Sequence, residues 1–190
     1  SATLNLANVT LANAGAYQVI VTGTCNSDTS SCVTLTVNSP ITISTQPANV
    51  EICLPLNSAS FSVAAAGTGL SYQWQVSTNG GTNWSNITGE TGSTLNLTGI
   101  TAAFNGNQYR VVLNGTCTAN LNSSAATLTV NSPVDITTHP ADVSSCEGSS
   151  VSFTVVATGS TITYQWQVSV NGGAFVDLTN NAPFRSEERR

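Results

Sequence analysis

The side chains able to do chemistry are few and scattered. Five cysteines stand at Cys25, Cys32, Cys53, Cys117 and Cys146. Their spacing matches neither a zinc ribbon nor a Cys-x-x-Cys redox pair, so disulfide formation in an oxidising compartment is the expected use. The single histidine, His139, sits beside Pro140. One histidine cannot make a triad with the residues here and no Cys–His pair has support, so it reads as a solvated residue. The carboxylates are Asp28, Glu51, Glu90, Asp135, Asp142, Glu147, Asp177, Glu187 and Glu188. Acid/base catalysis needs a pair held across a pocket with separated pKa values, and no such constellation recurs along the chain. Asp142 and Glu147 read as solubilising surface groups. Phosphate-binding and dinucleotide glycine patterns are missing, as is a calcium-loop pattern. The expectation is therefore no catalytic residue, no metal site and no cofactor.

Composition narrows the class further. The chain has 190 residues, a net charge of -5 and only 7% charged residues, against about 25% in ordinary proteins. It contains no lysine and no methionine. Thr, Ser and Asn must supply solubility, and such a surface suits strands and turns. Three of the four arginines, Arg185, Arg189 and Arg190, fall in the last six residues, leaving Arg110 alone elsewhere. That leaves no basic footprint for nucleic acid. No apolar run approaches the roughly 20 residues of a membrane-spanning helix. No signal peptide is recognisable at residue 1, so export would imply one removed earlier or carried by a longer precursor.

An internal repeat organises the chain. SYQWQVSTNGGTNWSNIT, from Ser71 to Thr88, returns as TYQWQVSVNGGAFVDLT, from Thr163 to Thr179. Tyr17 and Tyr109 are 92 residues apart, as are Cys25 and Cys117, and Trp74 and Trp166; Pro40 and Pro133, and Cys53 and Cys146, are 93 apart. A repeat of this period dictates the architecture. The Asn-Ser-Pro tripeptides at 38–40 and 131–133 read as short junctions, because proline lacks a donor and restricts the residue before it. The expected divisions are 1–38, the last three strands of one module; 39–131, a complete module; 132–184, the first strands of another; and a charged tail, 185–190, expected to be disordered.

Within the complete module the pattern is alternation over short runs. Strands are expected at Ile41–Ser44, with Val50–Cys53 as a continuation, and at Ser60–Ala64, Tyr72–Val76, Trp84–Ile87, Thr94–Leu97, Gln108–Leu113 and Ala126–Val130. Phe61 and Val63 point inward, as do Tyr72, Trp74 and Val76 on one strand and Tyr109, Val111 and Leu113 on another. Asn79-Gly80-Gly81 signals a hairpin. Seven or so strands without helical periodicity predict an all-β fold of tandem two-sheet sandwiches. The expected core is Trp74, Tyr109, Val63 and Val111, with Trp166 and Tyr17 as their repeats. Trp84, after the hairpin, either closes a sandwich edge or offers a face for a ligand such as a sugar.

These residues carry a resemblance. Leu97, Ile100, Gly106 and Tyr109, like Leu6, Val9, Gly15 and Tyr17, resemble the Leu-x-x-Val…Gly-x-Tyr pattern that leads into the sixth strand of immunoglobulin domains, with Tyr109 as its corner tyrosine and Trp74 and Trp166 as its core tryptophan. Where that family carries its inter-sheet disulfide, this chain has Val63 with Val111, and Val155 in the third module. The fuller pattern, a cysteine before the second strand, YQWQVS-x-NGG and then Gly-Thr-Cys, resembles the tandem immunoglobulin-like repeats of large Bacteroidetes surface proteins, among them gliding-motility adhesins and cargo of the type IX secretion system. The resemblance spans residues 1 to about 183. It implies an extracellular or bacterial cell-surface location, no enzymatic activity, and a role as stalk, spacer or part of an adhesin.

Each full module then has one cysteine before the second strand and one after the sixth. Counting favours Cys53 with Cys117. In the immunoglobulin register, however, these lie toward opposite poles: a seven-residue strand spans about 23 Å, and bridged α-carbons must come within about 7 Å. Cys25 with Cys32 is a local alternative, and Cys146 of one chain with Cys25 of the next is a third. The last pairing follows from one reading of the complementary cut, in which residues 1–38 and 132–184 of successive copies make about one module; the other reading is a fragment of a longer repeat protein. Copies joined head to tail would build an open filament. The partners expected are thus neighbouring immunoglobulin-like modules or further copies of the chain, with glycan or a surface protein bound through loops as the alternative.

Overall fold

The computed structural model describes residues 1–179. Two compact units divide at the second Asn-Ser-Pro junction: Ser1–Asn131, and a second that begins at Ser132. The expected charged tail at 185–190 lies outside the described residues. The fold is all-β.

The first segment of the first unit holds β1 (Gly15–Tyr17), β2 (Ile20–Thr22), β3 (Ser27–Thr29) and β4 (Val33–Leu35). The chain runs out along β1 and β2 and returns along β3 and β4, with Tyr17 opposite Val33 and Ile20 opposite Thr29. A short 3-10 turn, Leu11–Asn13, precedes β1. The Tyr17 hydroxyl donates to the carbonyl of Asn13 at 2.5 Å, which is the tyrosine-corner hydrogen bond.

The middle module follows with β5 (Thr42–Thr45), β6 (Val50–Cys53), β7 (Ser58–Ser62), β8 (Ala64–Ala66), β9 (Ser71–Ser77), β10 (Ser85–Asn86), β11 (Thr94–Thr98), β12 (Gln108–Asn114), β13 (Leu121–Asn122) and β14 (Ala126–Asn131). One sheet has the order β10-β9-β12-β14-β6, with β13 also on β12. The facing layer pairs β11 with β7 and β5 with β8. Alternation along the strands sends one set of side chains inward. Trp74, Val111, Leu113 and Leu128 from the first sheet meet Phe61 and Leu95 from the second, and Trp74, Leu95, Val111, Leu113 and Leu128 have no exposed surface. The Phe61 and Tyr109 rings stack with centroids 4.9 Å apart. Burial raises the Tyr109 phenol above its ordinary pKa, with a hydrogen bond to Asn107 opposing it.

One local expectation needs correction. Val50–Cys53 does not continue the first strand in its own sheet. β6 crosses to the other sheet and runs parallel to β14, with Cys53 opposite Asn131. Pro47 breaks the strand between them, and the side chains flanking it hold the crossing: Gln46 Oε1 accepts from the Ser124 amide at 2.8 Å, and Asn49 Oδ1 from the Thr127 amide at 2.8 Å. The hairpin signalled by Asn79-Gly80-Gly81 is present, since β10 pairs antiparallel with β9, and a loop makes its connection. Ser77 Oγ accepts the Gly81 amide and Asn79 Oδ1 the Asn83 amide, each at 2.9 Å, while Gly80 and Gly81 take positive φ. Buried polar atoms at this end of β9 are thereby satisfied inside the loop.

The second unit holds β15 (Asp135–Thr138), β16 (Val156–Thr158), β17 (Gln167–Val168) and β18 (Val176–Asp177). Its pairs repeat those of the middle module. Ile136 lies opposite Ala157 as Ile43 lies opposite Ala65, and Gln167 opposite Asp177 as Gln75 opposite Asn86.

Candidate functional site

Trp84 is held from within the middle module. Its indole N–H donates to the Gly81 carbonyl at 3.0 Å. The Arg110 guanidinium carbon lies 4.2 Å from its ring centroid, within the range of a cation–π contact. Arg110 Nε in turn donates to Gln75 Oε1 at 2.9 Å, and Gln75 Nε2 to Asn86 Oδ1 at 2.8 Å. Strand register explains the ladder, because Gln75 stands opposite both Arg110 on β12 and Asn86 on β10. One face of Trp84, the ligand platform expected from the sequence, is therefore covered by the protein's own cation. The sequence reading missed Arg110; the signal was its position as the sole arginine before the tail. Arg110→Ala is expected to uncover the indole, shift its fluorescence and lower stability by about 0.5–1 kcal/mol. Urea titration read by fluorescence and circular dichroism checks both, and an unchanged spectrum would mean that the guanidinium does not rest on the ring.

The expected core residues separate into two groups. Trp74, Tyr109, Val63 and Val111 are buried. Trp166 and Tyr17 are not: Trp166 is 36% exposed where Trp74 is fully buried, and Tyr17 is half-buried. Neither is enclosed by the strands of its own segment, and the physical reason is visible in the middle module. There β11, β12 and β14 cover Phe61 and Trp74, whereas in the second unit Phe153 is 53% exposed against 1% for Phe61. Conversely, Val19 and Val21 repeat Val111 and Leu113, and they are 52% and 65% exposed where their counterparts are fully buried. Among the large hydrophobic side chains exposed in the described residues, only Leu56 belongs to the middle module. An open trough of about 290 Å³, lined by Ile136, Val155, Ile162, Tyr164 and Trp166 among others, marks the bare face of the second unit.

All five cysteines are exposed and unbonded. Cys53 ends β6 opposite Asn131. Asn131 lies past the Gln108 end of β12, since Thr127 already faces Gln108. Cys117 lies past the other end, Asn114, and its Sγ is 3.7 Å from the Asn38 carbonyl oxygen. The six residue steps of β12 alone put these poles about 20 Å apart, beyond the reach of a disulfide. The pairing of Cys53 with Cys117 inside one module is thus ruled out by this arrangement. Cys25 with Cys32 fails for the same reason: Cys25 follows the tip of the β2–β3 hairpin, while Cys32 sits at its base, 3.6 Å from Gln18 Oε1.

His139, Asp142 and Glu147 are exposed. No three of His, Cys, Asp and Glu gather as a metal-binding group among the described residues.

Comparison with known proteins agrees with this architecture. Residues 42–132 match a family described as "Domain of unknown function (DUF8696)". No curated protein matches the chain. Among solved structures, the chain is similar to a fragment of three immunoglobulin domains of titin, with 12% identity and a TM-score of 0.61 over 92% of this chain and 60% of that one. It is similar to immunoglobulin domains 1–4 of Sidekick-1, with 19% identity and a TM-score of 0.51 over 84% of this chain and 45% of that one. Drosophila OTK extracellular domains 3–5 give 18% identity and a TM-score of 0.50 over 93% of this chain and 58% of that one. The fold is immunoglobulin-like. The chain spans about half the length of these structures.

Proposed function

We propose that this chain is a noncatalytic structural stretch of an extracellular or cell-surface protein, in which immunoglobulin-like modules act as spacers. The proposed setting is a bacterial surface, on the likeness of the YQWQVS-x-NGG and Gly-Thr-Cys motifs to Bacteroidetes surface repeats. The immunoglobulin-like fold, its regular repeat and the internal satisfaction of its polar groups support a spacing role. The alternative, an adhesin module that binds glycan or protein through its loops, has Trp84 as its best residue. The guanidinium resting on that indole favours the structural role.

A second form of the proposal makes the chain a filament subunit, in which residues 1–38 of one copy complete the third module of another and copies join head to tail. The observation that carries it is the paired exposure of equivalent residues: Phe153 and Trp166 are bare on one face, and Val19 and Val21 on the other, while the same pairings are closed in the middle module. Register transferred from β12 and β9 sets Val19 against Trp166 and Val21 against Tyr164. Such a heterologous contact propagates instead of closing. Sedimentation velocity of the full chain in reducing buffer tests it. Species that lengthen with concentration are expected, and Val19→Asp should return them to monomer by placing a charge in an apolar seam. A chain that stays monomeric across the range would remove the completion and leave the spacer.

A further inference from the structure

The two cysteines of a module lie at opposite poles, and each pole is a junction. Cys117 approaches Asn38, the residue that leads into the middle module. Cys53 stands opposite Asn131, the residue that leads out of it, and the Leu54 amide donates to the Asn131 carbonyl at 2.9 Å. Asn38 and Asn131 are the same position of the repeat, one period apart. The backbone around them repeats as well. The Thr68 amide donates to the Ser39 carbonyl and the Ser39 amide to Thr68 Oγ1, as the Ser160 amide donates to the Ser132 carbonyl and the Ser132 amide to Ser160 Oγ. The middle module thus carries Cys53 beside the asparagine that leads out of it and Cys117 beside the one that leads into it. Paired parallel strands lie about 4.8 Å apart, so Cys53 falls within one side chain's reach of Asn131, as Cys117 does of Asn38. Ile52 beside Cys53 is buried, and alternation turns Cys53 outward. The thiol is free to meet a neighbour.

We propose that the cysteines staple consecutive modules across their junctions and do not cross-link any module internally. Resting on the completion of modules between copies, the pairs are Cys53 of one copy with Cys25 of the next, and Cys117 of one copy with Cys146 of the copy before it. Cys25 is the Cys117-type residue of the completed module, and Cys146 its Cys53-type residue. Cys25 with Cys146 would span the poles of a single module, as Cys53 with Cys117 would, so that pairing is replaced. Each staple forms by thiol–disulfide exchange with a disulfide oxidant such as oxidised glutathione. The first thiolate attacks one glutathione sulfur and expels one glutathione thiolate. The second cysteine then displaces the other, giving one S–S bond, two reduced glutathione molecules and no net change in protons. Cys32 has alanine, Ala125, at its place in the middle module, and stays outside the scheme.

The test separates the staple from the completion beneath it. Sedimentation of the full chain under reducing conditions reads the noncovalent assembly alone. The same material is then equilibrated with a reduced and oxidised glutathione couple, digested with pepsin without reduction and mapped by mass spectrometry. The expected result is a nonreducing ladder at multiples of 19.5 kDa, with Cys25–Cys53 and Cys117–Cys146 peptides. Cys53→Ser should remove the first peptide and keep the second. Assembly with all thiols free, or with Cys53–Cys117 or Cys25–Cys146 peptides, overturns the staple and leaves the completion standing. A chain that is monomeric in both buffers, with no cross-linked peptides, overturns both.

Discussion

Trp74→Ala is expected to destabilise the middle module by about 3–5 kcal/mol, the range for removing a large aromatic from a core. Trp74 has no exposed surface, and its indole N–H donates to the Gly92 carbonyl at 2.9 Å, so the substitution leaves both a cavity and an acceptor without its donor. A domain of this size has about 5–15 kcal/mol in total, and the variant should sit close to unfolding. Urea denaturation followed by circular dichroism measures it. Trp166→Ala removes the same residue of the repeat, yet in the dissociated chain it should change the unfolding midpoint little, because Trp166 is 36% exposed and surface substitutions stay within about 0.5 kcal/mol. Under the proposed completion its effect should fall on self-association instead, since that proposal sets the indole against Val19 of another copy. Equal losses from the two substitutions in dissociated chains would show that Trp166 is already covered, and the completion between copies would lose its motive. A loss below about 1 kcal/mol for Trp74→Ala would be out of line with a fully buried indole.

The contrast between the two tryptophans also marks how far the residues themselves could be read. Period-two alternation placed Phe61, Trp74, Val111 and Leu113 correctly, because each is enclosed by strands that lie within one repeat. Trp166 and Tyr17 carry the same local pattern, and a pattern reports which face is apolar, not whether anything covers it. The crossing of β6 to the other sheet was hidden for a related reason. Val50–Cys53 alternates whichever sheet it joins, and the choice rests on its parallel pairing to β14 and on the amides taken by Gln46 and Asn49. The cysteines show the limit most sharply. Counting two per module favours an internal bond, whereas strand order sends one to each pole. That was legible from the immunoglobulin register before any coordinate. The role of the junction asparagines was not, because it needs the position of Cys117 against Asn38. Arg110 over Trp84 needs three strands in register, β10, β9 and β12, and no pair in the sequence announces it.

The aliphatic pair that stands where immunoglobulin domains carry their disulfide supplies the last and most demanding prediction. Val63 is 5% exposed and Val111 fully buried, and both belong to one core. Val111 stands opposite Trp74 in register, and Val63 sits at the break between β7 and β8, where its amide donates to the Ser93 carbonyl at 3.0 Å. If these positions face each other as in that family, Val63→Cys with Val111→Cys should oxidise to a single bond that closes a loop of about fifty residues. Chain entropy then predicts a gain of about 4 kcal/mol. The gain should appear as a higher urea midpoint for the oxidised double variant than for its reduced form. The reduced form should itself be weaker than the parent, since each valine loses packed methyl groups. The cysteines at the poles are exposed, so alkylating them in the folded protein leaves the buried pair to be followed alone. Failure of the pair to oxidise after mild unfolding and refolding would mean that the two strands are out of the immunoglobulin register at this level of the sandwich. Success would show that the middle module holds the geometry of the cross-link without using it. Its cysteines would then remain available for the junction pairing proposed above.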